Sequence, residues 1–149
     1  MATKRTRAVP GRRRLSSKDF HASLDAIFRP RSVAVIGASR RRHAIGHEIL
    51  RNLVEYGFTG PVYPVNPAAD VVHSMKSYAT LDEIPDPVDL AVVTVPREHV
   101  MKVIDQCGKK GVRGLVVITA GFKEVDEEGR TLESEVARKI DKYGMRMVG

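Results

Sequence analysis

Gly37-Ala38-Ser39-Arg40 is the segment of this chain best suited to chemistry with an anion. It follows the apolar run Ser32-Val33-Ala34-Val35-Ile36 and precedes a helical pattern that begins at Ile45-Gly46. A strand, a small-residue turn and a helix start, in that order, cradle phosphate. Glycine lets backbone come close to a ligand, and the first N–H groups of a helix favour negative charge. The order therefore points to a nucleotide-type ligand. The turn nevertheless departs from the common fingerprints: after Gly37 come Ala38, Ser39 and three arginines before Gly46, so G-x-G-x-x-G is not met. No G-x-x-x-x-G-K-[ST] run occurs either.

The residues around that turn carry further chemistry. Arg40, Arg41 and Arg42 suit bidentate phosphate contact, or else form a solvated loop, and Ser39 suits either a phosphate hydrogen bond or a turn. A dinucleotide site would place an acid at the end of the second strand for the ribose hydroxyls; Asn66, followed by Pro67, stands there instead. His43 and His47 have the four-residue spacing of metal ligands on one helix face, yet H-E-x-x-H is not formed and no third ligand is evident. No metal site is expected. His99, just after Pro96, can face a cleft at the strand ends, whereas Cys107 lies on the apolar stripe of a helix and reads as core. Glu124, Asp126, Glu127 and Glu128 read as a solvated loop. No serine, histidine and aspartate arrangement suggests nucleophilic catalysis.

These residues need a scaffold, and the apolar pattern supplies one. Strands are predicted over Ser32–Ile36, Pro61–Val65, Val88–Val95, Gly114–Thr119 and Met145–Val148. Helical stripes fall between them: Ile45, Ile49, Leu50, Leu53 and Val54; then Val100, Val103, Ile104 and Cys107 after Pro96; then Leu132, Val136, Ile140 and Tyr143 before Gly144. A short helix with Phe20, Leu24, Ile27 and Phe28 ends at Pro30, and Ala68–Pro87 is the least regular stretch, with one helical turn over Leu81–Ile84. This alternation predicts an α/β, Rossmann-like doubly wound parallel sheet of about five strands with helices on both faces. Ligands bind such sheets at the carboxyl ends of the strands. Four unusual loops fall there: Gly37-Ala38-Ser39, Asn66-Pro67-Ala68, Val95-Pro96-Arg97 and Thr119-Ala120-Gly121-Phe122.

Composition narrows the classes. Of 25 lysines and arginines, six (Lys4, Arg5, Arg7, Arg12, Arg13 and Arg14) fall within the first 14 residues, which hold no acid, and the rest of the chain holds 19 bases against 18 acids. The net charge of +7 is thus a basic tail, expected to be a disordered extension over residues 1–17, with a domain over 18–149. Specific nucleic-acid binding is not expected of a nearly neutral domain. No run approaches the roughly 18 apolar residues of a membrane span, and no secretory leader is evident. The single cysteine excludes an internal disulfide, which fits a cytoplasmic setting.

Taken together, Val33-Ala34-Val35-Ile36-Gly37-Ala38-Ser39, Val62-Tyr63-Pro64-Val65-Asn66-Pro67, Asp89-Leu90-Ala91-Val92-Val93-Thr94-Val95-Pro96 and Val117-Ile118-Thr119-Ala120-Gly121-Phe122 resemble the CoA-binding domain of NDP-forming acyl-CoA synthetases. That group is related to the succinyl-CoA synthetase alpha subunit, and a similar domain opens some bacterial protein lysine acetyltransferases. The resemblance runs from about Phe20 to Gly149 and implies coenzyme A as the ligand. It implies that Gly37, Ala38, Ser39 and Arg40 hold the phosphates of the nucleotide end, with Asn66, Pro67 and Ala68 by the adenosine. Val95 and Pro96 would wall the pantetheine, and Thr119, Ala120, Gly121 and Phe122 would line the way to the thiol.

In that family acyl-CoA is formed from acid, CoA and a nucleoside triphosphate through an acyl phosphate and a phosphorylated histidine of a later domain. None of the five histidines here matches that residue. The resemblance therefore implies a non-catalytic fragment of a longer chain, working with downstream synthetase domains or a partner subunit and compatible with an oligomer. Ligase and acetyltransferase parents both stay open. Two other classes also fit the residues: an NAD(H)-binding regulatory module whose basic tail touches DNA, and an assembly subunit whose sheet serves interaction.

Overall fold

Along β1 (Val33–Ile36) all four side chains are buried, Val33 and Val35 on one side of the sheet and Ala34 and Ile36 on the other. This is the period-two alternation of extended chain, and burial on both faces makes β1 a central strand. The computed structural model describes residues 24–119 and 127–149; the expected basic tail lies outside them. Before β1 a short helix, α1, covers residues 24–28. After it come α2 (Ile45–Glu55), β2 (Val62–Val65), β3 (Val71–Val72), β4 (Met75–Lys76), a 3-10 turn (Leu81–Glu83) and β5 (Leu90–Val93). The chain continues through α3 (Arg97–Lys110), β6 (Gly114–Val117), α4 (Glu127–Tyr143) and β7 (Arg146–Val148).

Five strands form one parallel sheet in the order β2-β1-β5-β6-β7, and β3 and β4 make a separate antiparallel hairpin. The doubly wound parallel sheet is therefore as the alternation predicts. The chain steps outward from β1 to β2, then returns past β1 to β5. At that reversal the connections leave on opposite faces and open a crevice at the carboxyl ends. The strand expected over Val88–Val95 is shorter at both ends. Asp89 donates its N–H to the Ser32 hydroxyl (3.0 Å), and Thr94 turns its hydroxyl back over the end of β1.

One face of the sheet packs on α3 and α4: Val100, Val103, Ile104 and Cys107, with Val136 and Ile140, meet Ala34, Ile36, Ala91, Val93, Leu115 and Val117. Burial, with the charge of Asp82 second, pushes the Cys107 thiol up to about 12, so the cysteine is core, as expected. The other face is covered by α2, through Leu50 with Ile49 and Leu53, helped by Ile27 and Phe58. The ends of the expected α2 stripe, Ile45 and Val54, are instead more than half exposed. An 11-residue helix is about 16 Å long against about 13 Å for a four-residue strand, so the helix overhangs the sheet.

At the opposite end from the crevice, the buried Asp89 ties three strand starts together. Its carboxylate accepts from the Arg31 N–H (3.0 Å), the Arg31 guanidinium (3.0 Å) and Arg113 (3.5 Å). The Arg31 hydrogen bond, working against burial and joined by the positive charges, holds this carboxyl below the usual range. Its contribution to stability is therefore in place above the unfolded value of about 3.9 and fades as pH falls below it. Between about pH 6 and pH 3 the melting temperature of the wild type should fall more steeply than that of Asp89→Asn. Parallel curves by calorimetry would refute this role.

Candidate functional site

The crevice between β1 and β5 is a cleft of about 480 Å³. Its floor is made by residues whose small size the fold demands. Gly37 takes φ +93°, in the left-handed region, and a methyl there would lie 2.6 Å from the Thr94 Oγ1. Gly46, the second residue of α2, backs onto the same turn; a methyl there would meet the Gly37 carbonyl oxygen at 2.2 Å. The turn is pinned by hydrogen bonds. Gly37 and Ala38 donate their N–H groups to the Val65 carbonyl (3.0 and 3.3 Å), and Thr94 donates its hydroxyl to the carbonyls of Ile36 (3.0 Å) and Gly37 (3.2 Å).

Asn66 is a clamp. Its Nδ2 donates to the Ala38 carbonyl at 2.6 Å and its Oδ1 accepts from the Ala68 N–H at 2.7 Å. The residue at the position of the ribose-binding acid thus spends both ends of its side chain on the two loops that frame the cleft. Ser39 lines the cleft and is also a turn residue, since its hydroxyl oxygen accepts from the Arg41 N–H at 3.1 Å while its own proton stays available to a ligand. His47 donates from Nδ1 to the Ser39 carbonyl at 3.2 Å, and its ring sits 4.3 Å from that of His73. His43 does not share a helix face with His47: it precedes α2, with φ +68°. Among the described residues no group of three metal-ligating side chains comes together.

The structure brings Gly37, Ala38, Ser39, Asn66, Pro67, Val95 and Pro96 to one cleft. Arg40 and Ala68 are exposed on the adjoining loops and do not line it. Thr119 stands one strand further on, where its hydroxyl donates to the Val95 carbonyl at 2.9 Å and fixes that wall. Ala120, Gly121 and Phe122 lie outside the described residues, as do Glu124 and Asp126. His99, for which the sequence allowed but did not favour a place facing the cleft, lines it, and Lys102 and Gln106 on the same helix face had not been singled out. Their signal in the sequence is a polar i, i+3, i+7 stripe beside the apolar one on α3. Thr80 faces them from the start of the 3-10 turn.

Comparison with known proteins decides what family this cleft belongs to. The sequence profile described as "CoA binding domain" matches residues 31–149, all five strands of the sheet and every described wall of the cleft. The chain belongs to the CoA-binding domain family. Coenzyme A is the ligand of this domain, and the small-residue turn and partly apolar walls, with Lys102 their one charged side chain among the described residues, suit a long ligand with a phosphate-bearing end. The CoA-binding domain is 45% identical over 131 residues to the alpha subunit of the ADP-forming acetate–CoA ligase I of Pyrococcus furiosus, covering 85% of this chain and 28% of that one. It is 45% identical over 123 residues to the ADP-forming 4-hydroxybutyrate–CoA ligase of Nitrosopumilus maritimus, covering 83% of this chain and 18% of that protein. Among solved structures it superposes on acetyl-coenzyme A synthetase 1 of Ca. Korarchaeum cryptofilum, in complex with phosphate and ADP. The TM-score is 0.80 and the identity 50%, over 85% of this chain and 27% of the other. The chain therefore spans less than a third of the length of these relatives. No helix among the described residues is long and apolar enough to cross a membrane.

Proposed function

We propose that this chain is the coenzyme-holding part of an NDP-forming acyl-CoA synthetase. The observation that carries the reading is the tight turn lining the cleft, where Gly37, backed by the buried Gly46, leaves no space for a methyl and holds the turn against the start of α2. The diphosphate would lie over Gly37, Ala38 and Ser39, with Arg40 reaching in from the exposed loop. The adenosine would sit beside Asn66, Pro67 and Ala68. The pantetheine would run along Val95 and Pro96, and the thiol would emerge past Thr119 toward Ala120, Gly121 and Phe122. When bound, the coenzyme supplies the thiol that takes the acyl group. The chain's own residues bind and orient it by backbone contact at the charged end and apolar contact along the arm.

Catalysis would then rest with a phosphorylated histidine in further synthetase domains or a partner subunit, and so would the sites for acid and nucleotide. The reading includes a cytoplasmic setting and gives membranes and specific nucleic acid no part. It is tested by isothermal titration calorimetry of the 149-residue chain with CoA, and with NADH in a parallel cell. Saturable binding of CoA without NADH is expected. NADH binding without CoA would overturn the reading, as would silence toward CoA from a chain whose circular dichroism shows a folded α/β domain.

A further inference from the structure

Coenzyme A carries two separate anions, the diphosphate and the ribose 3′-phosphate, and the second is a monoester close to doubly charged at neutral pH. The glycine floor accounts for one of them. Asn66 is uncharged and already bridges Ala38 and Ala68, so it supplies no cation for the other. Across the cleft from it stands the polar face of α3. There Lys102 is the single charged side chain among the described residues that line the cleft, with no carboxylate to oppose it. His99, one turn earlier, lines the same wall, and on the facing segment the Thr80 hydroxyl makes no capping bond to the 3-10 turn that it precedes.

We propose that Lys102, assisted by His99 and Thr80, holds the ribose 3′-phosphate and so distinguishes CoA from ligands that lack this group. The inference rests on the reading of the cleft as a CoA site and adds a specificity-determining residue that the four loop motifs do not contain. Lysine suits the task because its ammonium is a compact point charge on a flexible stem, able to follow a phosphate on the open side of the cleft.

The test is calorimetry with CoA and 3′-dephospho-CoA on the wild-type chain, Lys102→Ala, Lys102→Arg and Lys109→Ala. Lys109 lies on the same helix and outside the cleft. The wild type should bind CoA about tenfold more tightly than the dephospho form, the size expected of one charge-assisted contact. Lys102→Ala should bring CoA down to the dephospho affinity while leaving the dephospho affinity within about twofold, Lys102→Arg should keep most of the preference, and Lys109→Ala should keep all of it. Equal weakening of both ligands in Lys102→Ala, an unchanged ratio there, or an equal loss of preference in Lys109→Ala would each overturn the inference. If the wild type binds both ligands equally, the CoA reading stands and the 3′-phosphate assignment fails. If it binds neither, the CoA reading itself fails.

Discussion

Gly46→Ala is expected to weaken CoA binding at least 100-fold and to cost about 3 kcal/mol of stability. The added methyl would lie 2.2 Å from the Gly37 carbonyl oxygen, 2.9 Å from its carbon and 3.1 Å from the Ala38 Cα. All three atoms are backbone, so no side chain can swing away. Either α2 retreats by about 1 Å from the turn, to ordinary contact distance, or the turn moves. The turn is poorly placed to move, because Val65, Asn66 and Thr94 all hold it by hydrogen bonds. Both routes separate the helix start from the backbone that it helps to present. Gly57→Ala is the control: Gly57 is also left-handed, at φ +75°, but its methyl would meet nothing within 4 Å. It should lose about 1 kcal/mol through the left-handed backbone and keep its affinity. Calorimetry together with thermal melts separates the two variants, and near-normal affinity in Gly46→Ala would show that the floor does not hold the coenzyme.

Leu50→Ala should cost about 3–4 kcal/mol, at the upper part of the range for leucine truncation. Leu50 is fully buried, and it and Gly46 are the buried residues of α2. Around it lie Val33, Val35, Leu90 and Val92 of the two central strands and Val72 of the hairpin. The opposite face has two long helices and a 3-10 turn to share its load, whereas this face leans on α2. The cavity would therefore open where little else can collapse into it. Since α2 begins at the floor of the cleft, the variant should also bind CoA more weakly than its remaining folded fraction explains. Urea unfolding gives the first quantity; a loss under about 1 kcal/mol would mean that other contacts hold α2.

The sheet was legible because β1 and β5 read as short, continuous apolar runs and the turns after them hold small residues. Both are local properties of the chain. What stayed hidden was relational. Nothing near Asn66 tells that its amide reaches Ala38, 28 positions earlier, so it read as a missing acid and not as a clamp. Lys102 and Gln106 became part of the cleft only through the rotation of α3 about its axis, which is set by Val100, Val103, Ile104 and Cys107 on the core side. Ile45 and Val54 matched the apolar period yet are exposed, because periodicity reports the face of a helix and not how far the sheet beneath it extends. His43 kept the ligand spacing but precedes the helix, in a left-handed conformation that spacing alone does not reveal.

The three-sided pinning of the Gly37 turn bears on how a ligand is received. Ordering a loop residue costs about 1–2 kcal/mol of conformational entropy, and a flexible phosphate loop would subtract that from its affinity at every position. Here the cost is met during folding, by Val65, Asn66 and Thr94, before any ligand arrives. The turn is a mould set before the ligand and not a closing lid, which on the proposed reading leaves discrimination between look-alike coenzymes to side chains around it such as Lys102.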